Sequence, residues 1–224
     1  MELAPLQQRR IAFTDMGTVR MERKEYSAGM VKHSFWFLEF RKMISLLLGG
    51  DTMEEIKQMN QDENIFSAST IERAKQIFNT VSTRVRSLDR SLYTFFIDGE
   101  IVTQKTIALI AVMNTDRLFF DFTYEVYREK LILGDKQLLD SDIRVFFRNK
   151  QIQSGRVAGW QDYTLKRLGI CYKTMLAEAG VINRNSASAI ITKPVLDISL
   201  INCLMENDMG QFINALTGDS DGKH

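Results

Sequence analysis

The scarcity of helix-breaking residues constrains the fold of this chain more than any other feature of its sequence. Its 224 residues include only two prolines and thirteen glycines. Proline removes a backbone donor and glycine costs conformational entropy in a helix, so their scarcity favours long helices over a turn-rich β architecture. Hydrophobic residues make up 45% of the chain, which is enough for a packed core without disulfide bonds. The composition therefore predicts a mainly α fold.

The first part of the chain, residues 26–134, is predicted to be a bundle of helices joined by short connections. An apolar helix over residues 35–48 is expected to end at Gly49 and Gly50, and Asp51 or Thr52 is expected to cap a short helix through Asn60. The remaining helices of the bundle are predicted over residues 91–97, 102–113 and 116–131. We interpret the aromatic residues of the last helix as core rather than as a base-stacking platform: Phe119, Phe120, Phe122, Tyr124 and Tyr127.

The helix that follows Ser69 or Thr70 has the clearest periodicity. Apolar residues at steps of three and four predict its core-facing side, which consists of Ile71, Ala74, Ile77, Phe78, Val81, Val85 and Leu88. The opposite side carries Arg73, Lys75, Arg84 and Arg86. We interpret these charges as a solvated surface, and a phosphate-facing surface stays open as the alternative.

Residues 135–218 are predicted to form a smaller α+β unit. After a polar hinge at Gly134–Asp140, one helix is expected from Ser141 to about Gln153. A second helix is expected from Asp162 to Ala179, because Gly180 follows it at the position where a left-handed residue usually ends a helix. Boundaries of the two units are thus placed near 134–140, with a basic leader (1–25) before them and a polar tail (219–224) after them.

The segment after Gly180 changes from helical to β-type patterning. Two short β-branched runs around the polar stretch Asn183–Ser188 predict a hairpin, and a closing helix is expected over residues 195–205. A helix, a hairpin and a closing helix in this order are typical of a winged helix, in which the helix before the hairpin enters the DNA major groove. The sequence therefore predicts a winged-helix-like unit after the helical bundle.

Patterns typical of catalytic sites are missing from the sequence. The two histidines are His33 and the terminal His224, which excludes a Ser-His-acid relay and a histidine metal cluster. The chain contains neither GxxxxGK[ST] nor GxGxxG. We interpret Asp116 and Asp121 as solvated charges on a helix rather than as a two-carboxylate metal site. The prediction is a protein that is not an enzyme and has no cofactor or metal.

Hydropathy and cysteine usage predict a cytoplasmic protein that does not span a membrane. Its longest apolar stretches, Ile44–Leu48 and Ile107–Met113, are far shorter than the roughly 20 residues that cross a bilayer. The N-terminus has two arginines with no apolar run behind them, so no signal peptide is expected. Cys171 and Cys203 lie in apolar stretches without metal or redox spacing, and we expect them to be buried free thiols.

Basic residues are concentrated in the second unit, although the net charge of the whole chain is only +1. From Ile143 to Lys193 there are nine basic residues and two acidic ones. A local basic surface attracts phosphates within a Debye length of roughly 10 Å, even on a nearly neutral protein. The alternative is that these charges only keep the unit soluble. The predicted DNA-binding residues are Lys166, Arg167, Lys173, Arg184, Lys193, Arg148 and Lys150.

A series of short motifs in one order resembles a known family. The motifs are Tyr26-Ser27-Ala28-Gly29, Phe37-Leu38-Glu39-Phe40-Arg41, Asn64-Ile65-Phe66, Asp116-Arg117-Leu118, Asp121-Phe122 and Glu125-Val126-Tyr127-Arg128-Glu129-Lys130, followed by Trp160, Thr164, Lys166, Leu176 and Gly180. With these motifs the chain resembles the BrxA family of BREX phage-defence systems from about residue 26 to its end. The leader before Tyr26 departs from the pattern of the family.

The resemblance implies a bacterial cytoplasmic accessory protein whose N-terminal part is similar to the NusB antitermination fold. It also implies double-stranded DNA and other BREX components, such as the methyltransferase, as partners, and it brings no catalytic residues. The predicted function is that of a non-enzymatic accessory subunit that binds duplex DNA mainly through its phosphates. Two alternatives stay open, namely a protein-interaction scaffold of the defence complex without direct DNA contact and an RNA-binding regulator.

Overall fold

Helices account for most of the residues that the structure describes. A computed structural model describes residues 25–185 and 188–219. A 3-10 turn (Gly29–Lys32) comes first, and a π-helical turn (Thr123–Tyr127) joins α6 to α7. The helices of the first part are α1 (Phe37–Gly49), α2 (Met53–Glu63), α3 (Ile71–Arg86), α4 (Ser91–Asp98), α5 (Ile101–Thr115), α6 (Arg117–Phe122) and α7 (Arg128–Leu133). The predicted mainly α fold is confirmed.

Several helix ends follow directly from local sequence signals. Gly50 adopts a left-handed φ of 106° after α1, and its backbone N–H donates to the last carbonyls of that helix. Thr52 and Glu55 form a reciprocal cap at the start of α2, in which Glu55 Oε2 accepts from the Thr52 backbone N–H at 2.7 Å. Thr70 caps α3 by accepting from the backbone N–H of Arg73. The predicted start and stop signals are confirmed at these positions.

Two side chains of α3 depart from its predicted faces. Ile71 was expected in the core but is 68% exposed in the first turn of the helix. Arg84 was expected on the solvated side but is only 3% exposed. Its guanidinium donates to the carbonyls of Ser34 and Phe35 at 2.9 and 2.8 Å, which replaces the water it loses. These carbonyls belong to the segment before α1. The periodicity of α3 could not predict this contact, because it depends on how that segment packs against the helix.

The second part of the chain builds a small sheet against further helices. Its elements are β1 (Gln137–Leu138), α8 (Asp140–Gln153), α9 (Gly155–Ala158), α10 (Asp162–Ala179), β2 (Ile182–Asn185), β3 (Ser188–Ile191), α11 (Ile198–Glu206) and α12 (Gly210–Thr217). The three strands form an antiparallel sheet in the order β1-β3-β2, with Gln137 opposite Ile190 and Ile182 opposite Ile191. The hairpin and both limits of α10 are as predicted.

Two predictions for this part were wrong in detail, and one helix was not predicted. Residues 134–140 are not only a hinge, because they contain β1, whose two residues are too few to show an alternating pattern. The closing helix begins at Ile198 rather than at 195, since Asp197 caps it by accepting from the backbone N–H groups of Ser199 and Leu200. A further helix, α12, follows it, and Phe212 of α12 packs edge-on against Phe120 at 5.4 Å.

Aromatic side chains connect the two predicted units. Phe122 of α6 packs against Phe146 of α8 at 5.3 Å, and Phe119 packs against Tyr172 of α10 at 5.1 Å. These residues belong to one hydrophobic core that extends from Met30 to Leu216. The predicted aromatic core is confirmed. The boundary near 134–140 stays a prediction about independent folding. Within residues 25–185 and 188–219, no helix is long and apolar enough to cross a membrane.

Candidate nucleic-acid interface

Helix α10 has one buried side and one exposed side, as its sequence pattern predicts. Leu165, Leu168 and Met175 are buried, and Cys171 is half-buried at the edge of the same stripe. Lys166 and Arg167 are exposed and lie outside this stripe. Gly180 ends the helix with a φ of 83°, a conformation that suits glycine because it has no Cβ. The helix therefore has an outward surface with positive charge.

A groove of about 590 Å³ lies between α8 and α10. The two helices approach closely at Gly169, where an added Cβ would lie 2.7 Å from Cγ2 of Ile143. Apolar side chains of Ile143, Phe147 and Leu165 form much of the lining. Charged residues of both helices also line the groove.

Four basic side chains and two carboxylates, Asp140 and Asp162, line this groove. Arg144 and Arg148 of α8 and Lys166 of α10 line it and are exposed. None of the three forms an ion pair with a carboxylate among the residues that the structure describes. Lys173 also lines the groove but is paired with Asp140, whose oxygen lies 2.5 Å from Nζ. This hydrogen bond lowers the pKa of Asp140. We call Arg144, Arg148 and Lys166 the basic rim.

Arg167 lies on the other flank of α10. Its Nη2 donates to the carbonyl of Val31 in the 3-10 turn at 3.3 Å, and its guanidinium lies 5.9 Å from the ring centre of Tyr163. It lines a cavity different from that of Lys166 and Lys173. The three residues predicted as one face of α10 therefore divide between two cavities, one on each side of the helix.

Lys150 was predicted to contact DNA, but the structure buries it. Its side chain is 3% exposed, and Nζ donates to Asp121 at 2.9 Å and to Glu125 at 2.6 Å. Tyr26 adds a hydrogen bond to the same Asp121 oxygen at 2.6 Å. Burial acts to lower the pKa of Lys150, but the two carboxylates outweigh it and raise the pKa to about 12. An ammonium held in this way cannot reach a phosphate, so we remove Lys150 from the interface.

The same cluster explains several residues on which the family resemblance rests. Tyr26, Asp121 and Glu125 come from separate motifs and meet at Lys150. Asp116 caps α6 by accepting from the Phe119 backbone N–H at 2.9 Å, and burial raises its pKa to about 6. Neither aspartate is the solvated charge that the spacing suggested. No group of three metal-ligating side chains is found in the described parts of the chain.

Two further predicted residues lie away from the groove. Lys193 follows β3 and forms an ion pair with Asp219 at 3.3 Å, beside a separate cavity formed with the α4–α5 turn. Arg184 lies in β2 opposite Ala189, and its side chain is outside the part of the structure that is described. Lys193 therefore lies apart from the groove. The sequence prediction did not include Arg144, although it lies one helical turn before Arg148 and this spacing was the signal.

The fold and the basic rim define a mainly helical protein with a small α+β unit and an exposed cationic groove. The family model described as BrxA matches residues 24–208. The chain is 35% identical over 199 residues to "BREX protein BrxA" of Bacillus cereus strain H3081.97, covering 89% of this chain and all of that relative. It is 26% identical over 160 residues to "BREX protein BrxA" of Escherichia coli O9:H4 strain HS, and this match covers 70% of this chain and 75% of that relative. The chain belongs to the BrxA family.

A solved structure shares the fold. The crystal structure of an uncharacterized protein from Magnetospirillum magneticum matches with a TM-score of 0.73 at 20% identity. The match covers 88% of this chain and all of that chain. At this identity the likeness concerns the fold alone. It extends over both the helical bundle and the α+β unit, since little of either lies outside it.

Proposed function

We propose that this chain is a non-enzymatic accessory subunit of a BREX phage-defence system that binds duplex DNA mainly through phosphates. The observation that carries the proposal is the basic rim, three exposed cations around one groove without a carboxylate partner among the described residues. Unpaired basic side chains gain most from a phosphate, since they release condensed counterions from the DNA and lose no existing ion pair. The names of the relatives support the assignment to a BREX system.

The order of elements around the groove supports duplex DNA as the ligand. A strand, three helices and a hairpin follow each other as β1, α8, the short α9, α10 and β2-β3, and the sheet order is β1-β3-β2. A winged helix has a similar order of elements, and its helix before the hairpin lies in the major groove with the hairpin beside it. The helix that takes this place is α10, which carries Lys166 and Arg167.

Contacts mainly to phosphates are expected from the side chains present. The rim consists of lysine and arginine, which contact phosphates whatever the sequence and read a base only where they reach the edge of a guanine. Of the groove residues, only Gln151 has an amide of the kind that recognises adenine. We therefore expect a modest sequence preference, with other BREX components, such as the methyltransferase, supplying any recognition of a site.

Binding across a salt series tests this function. Purified protein is titrated against a short duplex, the matching single strand and an RNA of the same sequence. The duplex is expected to bind best, and the logarithm of its affinity should fall linearly with the logarithm of salt concentration, by about 0.9 for each phosphate neutralised. Affinity for the duplex that does not change with salt would contradict the mechanism, and tightest binding to RNA would favour a regulator of RNA.

A protein-interaction scaffold is the second candidate, and one observation favours it. A groove of about 1070 Å³ lies between the α4–α5 turn and the start of α11. Val195 and Ile198 line it and are 89% and 64% exposed. Exposed apolar side chains grouped in a groove are typical of surfaces that bind other proteins. Absence of binding to all three nucleic acids would make this the leading function.

A further inference from the structure

A second basic cavity lies on the flank of α10 that faces the helical bundle. It has a volume of about 510 Å³ and is enclosed by the 3-10 turn, α3 and α10. Its polar lining includes Lys32, His33, Arg73, Gln76, Arg167 and Thr174. Among the described residues no aspartate or glutamate lines it. Three cations therefore converge on one cavity without a carboxylate to offset their charge.

The hydrogen bonds of these cations are to neutral oxygens. Nη1 of Arg73 donates to Oε1 of Gln76 at 2.8 Å and, more weakly, to the Lys32 carbonyl at 3.4 Å. Arg167 donates to the Val31 carbonyl. Amide oxygens hold a guanidinium in place but do not cancel its charge, and each guanidinium has five N–H groups to donate. The cavity therefore keeps a positive field, in contrast to the neutralised cluster around Lys150.

Arg73 is held in position by a strained residue. Its guanidinium lies 4.8 Å from the ring centre of Trp36, which is buried before α1. Trp36 has a φ of 52°, in the left-handed region that bulky residues rarely adopt. Such strain is kept where the surroundings fix it and is concentrated at ligand sites. The Trp36 ring thus lies against Arg73, which lines the cavity, before any ligand arrives.

His33 responds to the same field. Burial, followed by the charges of Arg84, Arg73 and Lys32, lowers the pKa of His33 to about 4. At neutral pH the imidazole is therefore uncharged and has one N–H to donate. An anion in the cavity would offset the three cations and raise the pKa of His33. The residue thus serves as a built-in reporter for occupancy of the cavity.

We propose that this cavity binds a phosphate group, through Lys32 and Arg73 of the bundle together with Arg167 of α10. The phosphate site is inferred from the cavity itself, and only the choice of DNA as the source of the phosphate rests on the proposed function. A helix in a major groove about 12 Å wide has backbone phosphates on both flanks. Helix α10 has the basic rim on one flank and this cavity on the other, so a backbone phosphate of duplex DNA is the favoured source and free phosphate is the alternative.

Two measurements test the cavity. The first follows the His33 ring by NMR over a pH series, with no ligand, with a short duplex and with inorganic phosphate. The duplex is expected to raise the pKa of His33 by about one, because an opposite charge nearby favours the protonated form. A rise with inorganic phosphate and none with duplex keeps the phosphate site and assigns it to free phosphate. No rise with either ligand overturns the proposal.

The second measurement compares duplex affinity of Lys32→Ala, Lys32→Ala/Arg73→Gln and the control Lys75→Ala. Lys75 lies two residues from Arg73 on α3, is exposed and does not line the cavity. The double variant is expected to bind about tenfold more weakly, with a salt slope shallower by up to about two, and Lys32→Ala should lose part of this. Lys75→Ala should match the wild type.

The results separate this proposal from the proposed function. Wild-type affinity in both Lys32 variants, with no response of His33 to either ligand, would overturn the cavity even if the basic rim still binds DNA. A response of His33 to inorganic phosphate in a protein that binds no duplex would keep the cavity and contradict the DNA function. Because Lys32 is exposed, the single variant remains informative if replacing Arg73 disturbs Trp36.

Discussion

Helix α8 presents basic residues to two opposite environments. Arg144 and Arg148 point to the groove beside α10 and are exposed, and Lys150, two residues further on, is buried against Asp121 and Glu125. The first pair leaves its charge available to a ligand, and Lys150 uses its charge to hold the protein together. Charge counted along a sequence is therefore not the charge of a surface, and the rotation of one helix decides between the two roles.

The partners of the buried charges explain why the local count overestimates the basic surface. Asp121 and Glu125 precede Lys150 by 29 and 25 residues, and Asp140 pairs with Lys173 from 33 residues away. All three acids lie outside the segment from Ile143 to Lys193. Arg156 and Lys193 likewise pair with Glu25 and Asp219, so four of the nine basic residues are paired with carboxylates that the count did not include.

Replacing Lys150 is expected to have the largest effect on stability. Lys150→Met leaves Asp121 without its cation in a site where that carboxylate is only 17% exposed. Removing one partner of a buried ion pair costs about 3 to 5 kcal/mol, and the half-exposed Glu125 places the expected loss near the lower end. The free energy of unfolding in urea measures it. Arg148→Met on the same helix is the control and should change stability by less than about 0.5 kcal/mol.

Equal stability of these two variants would remove the distinction between the faces of α8. It would mean that the cluster around Lys150 contributes no more than an exposed charge. The double variant Lys150→Met/Asp121→Asn tests the source of the loss, because it removes both the Lys150 cation and the Asp121 charge that would otherwise be left without a partner. We expect the double variant to recover part of the lost stability, since the penalty comes mainly from the uncompensated charge.

Gly169→Ala is expected to destabilise the groove itself. The new methyl would lie 2.7 Å from Cγ2 of Ile143, an atom that cannot move away without shifting α8. Overpacking of this kind costs about 1 to 3 kcal/mol, which exceeds the gain of about 1 kcal/mol from the higher helix propensity of alanine. Urea unfolding of Gly169→Ala, Ile143→Ala and the double variant measures the coupling. Simple additivity of the two losses would show that the helices are not in contact there.

Two partly buried titratable groups, Asp116 and His33, predict opposite dependences of stability on pH. Burial raises the pKa of Asp116 from 3.8 to about 6. Its stabilising contribution to the free energy of unfolding is therefore present below pH 3.8 and is lost as the pH rises through 6. The pKa of His33 is lowered from 6.5 to about 4, so its contribution is present above 6.5 and is lost as pH falls through 4. Unfolding of wild type, Asp116→Asn and His33→Gln between pH 4 and 7 separates them.

The stabilities of Asp116→Asn and His33→Gln relative to wild type are expected to change with pH in opposite directions. Asp116→Asn should gain relative stability as pH rises from 4 to 7, because the buried charge is absent. His33→Gln should lose relative stability over the same range. At low pH the unfolded wild type is favoured because its His33 binds a proton, and this penalty disappears as the pH rises, whereas the variant never has it. Changes of the same sign in both variants would show that the two sites do not have the environments described here.

Helix α10 shows how much of the interface the sequence could predict. Its ends depend on Gly180 and on its own apolar stripe, which are local signals, and Lys166 and Arg167 are exposed as expected. The strand β1 could not be predicted, because two residues show no periodicity and their partner β3 lies some 50 residues later. The convergence of Lys32 and Arg73 on Arg167 is likewise set by tertiary packing, which brings the bundle to the flank of α10.

The central claim is that the basic rim holds duplex DNA without contributing to the stability of the fold. It is tested most directly by the salt dependence of duplex binding for Arg144→Ala/Arg148→Ala/Lys166→Ala, beside the control Lys57→Ala/Lys75→Ala. Lys57 and Lys75 are exposed and do not line the groove. Thermal unfolding should be nearly the same for both variants and the wild type, because exposed substitutions usually cost within about 0.5 kcal/mol each. The rim variant should bind more weakly, with a salt slope shallower by up to about three, and the control should match the wild type. Wild-type affinity and slope in the folded rim variant would contradict the claim.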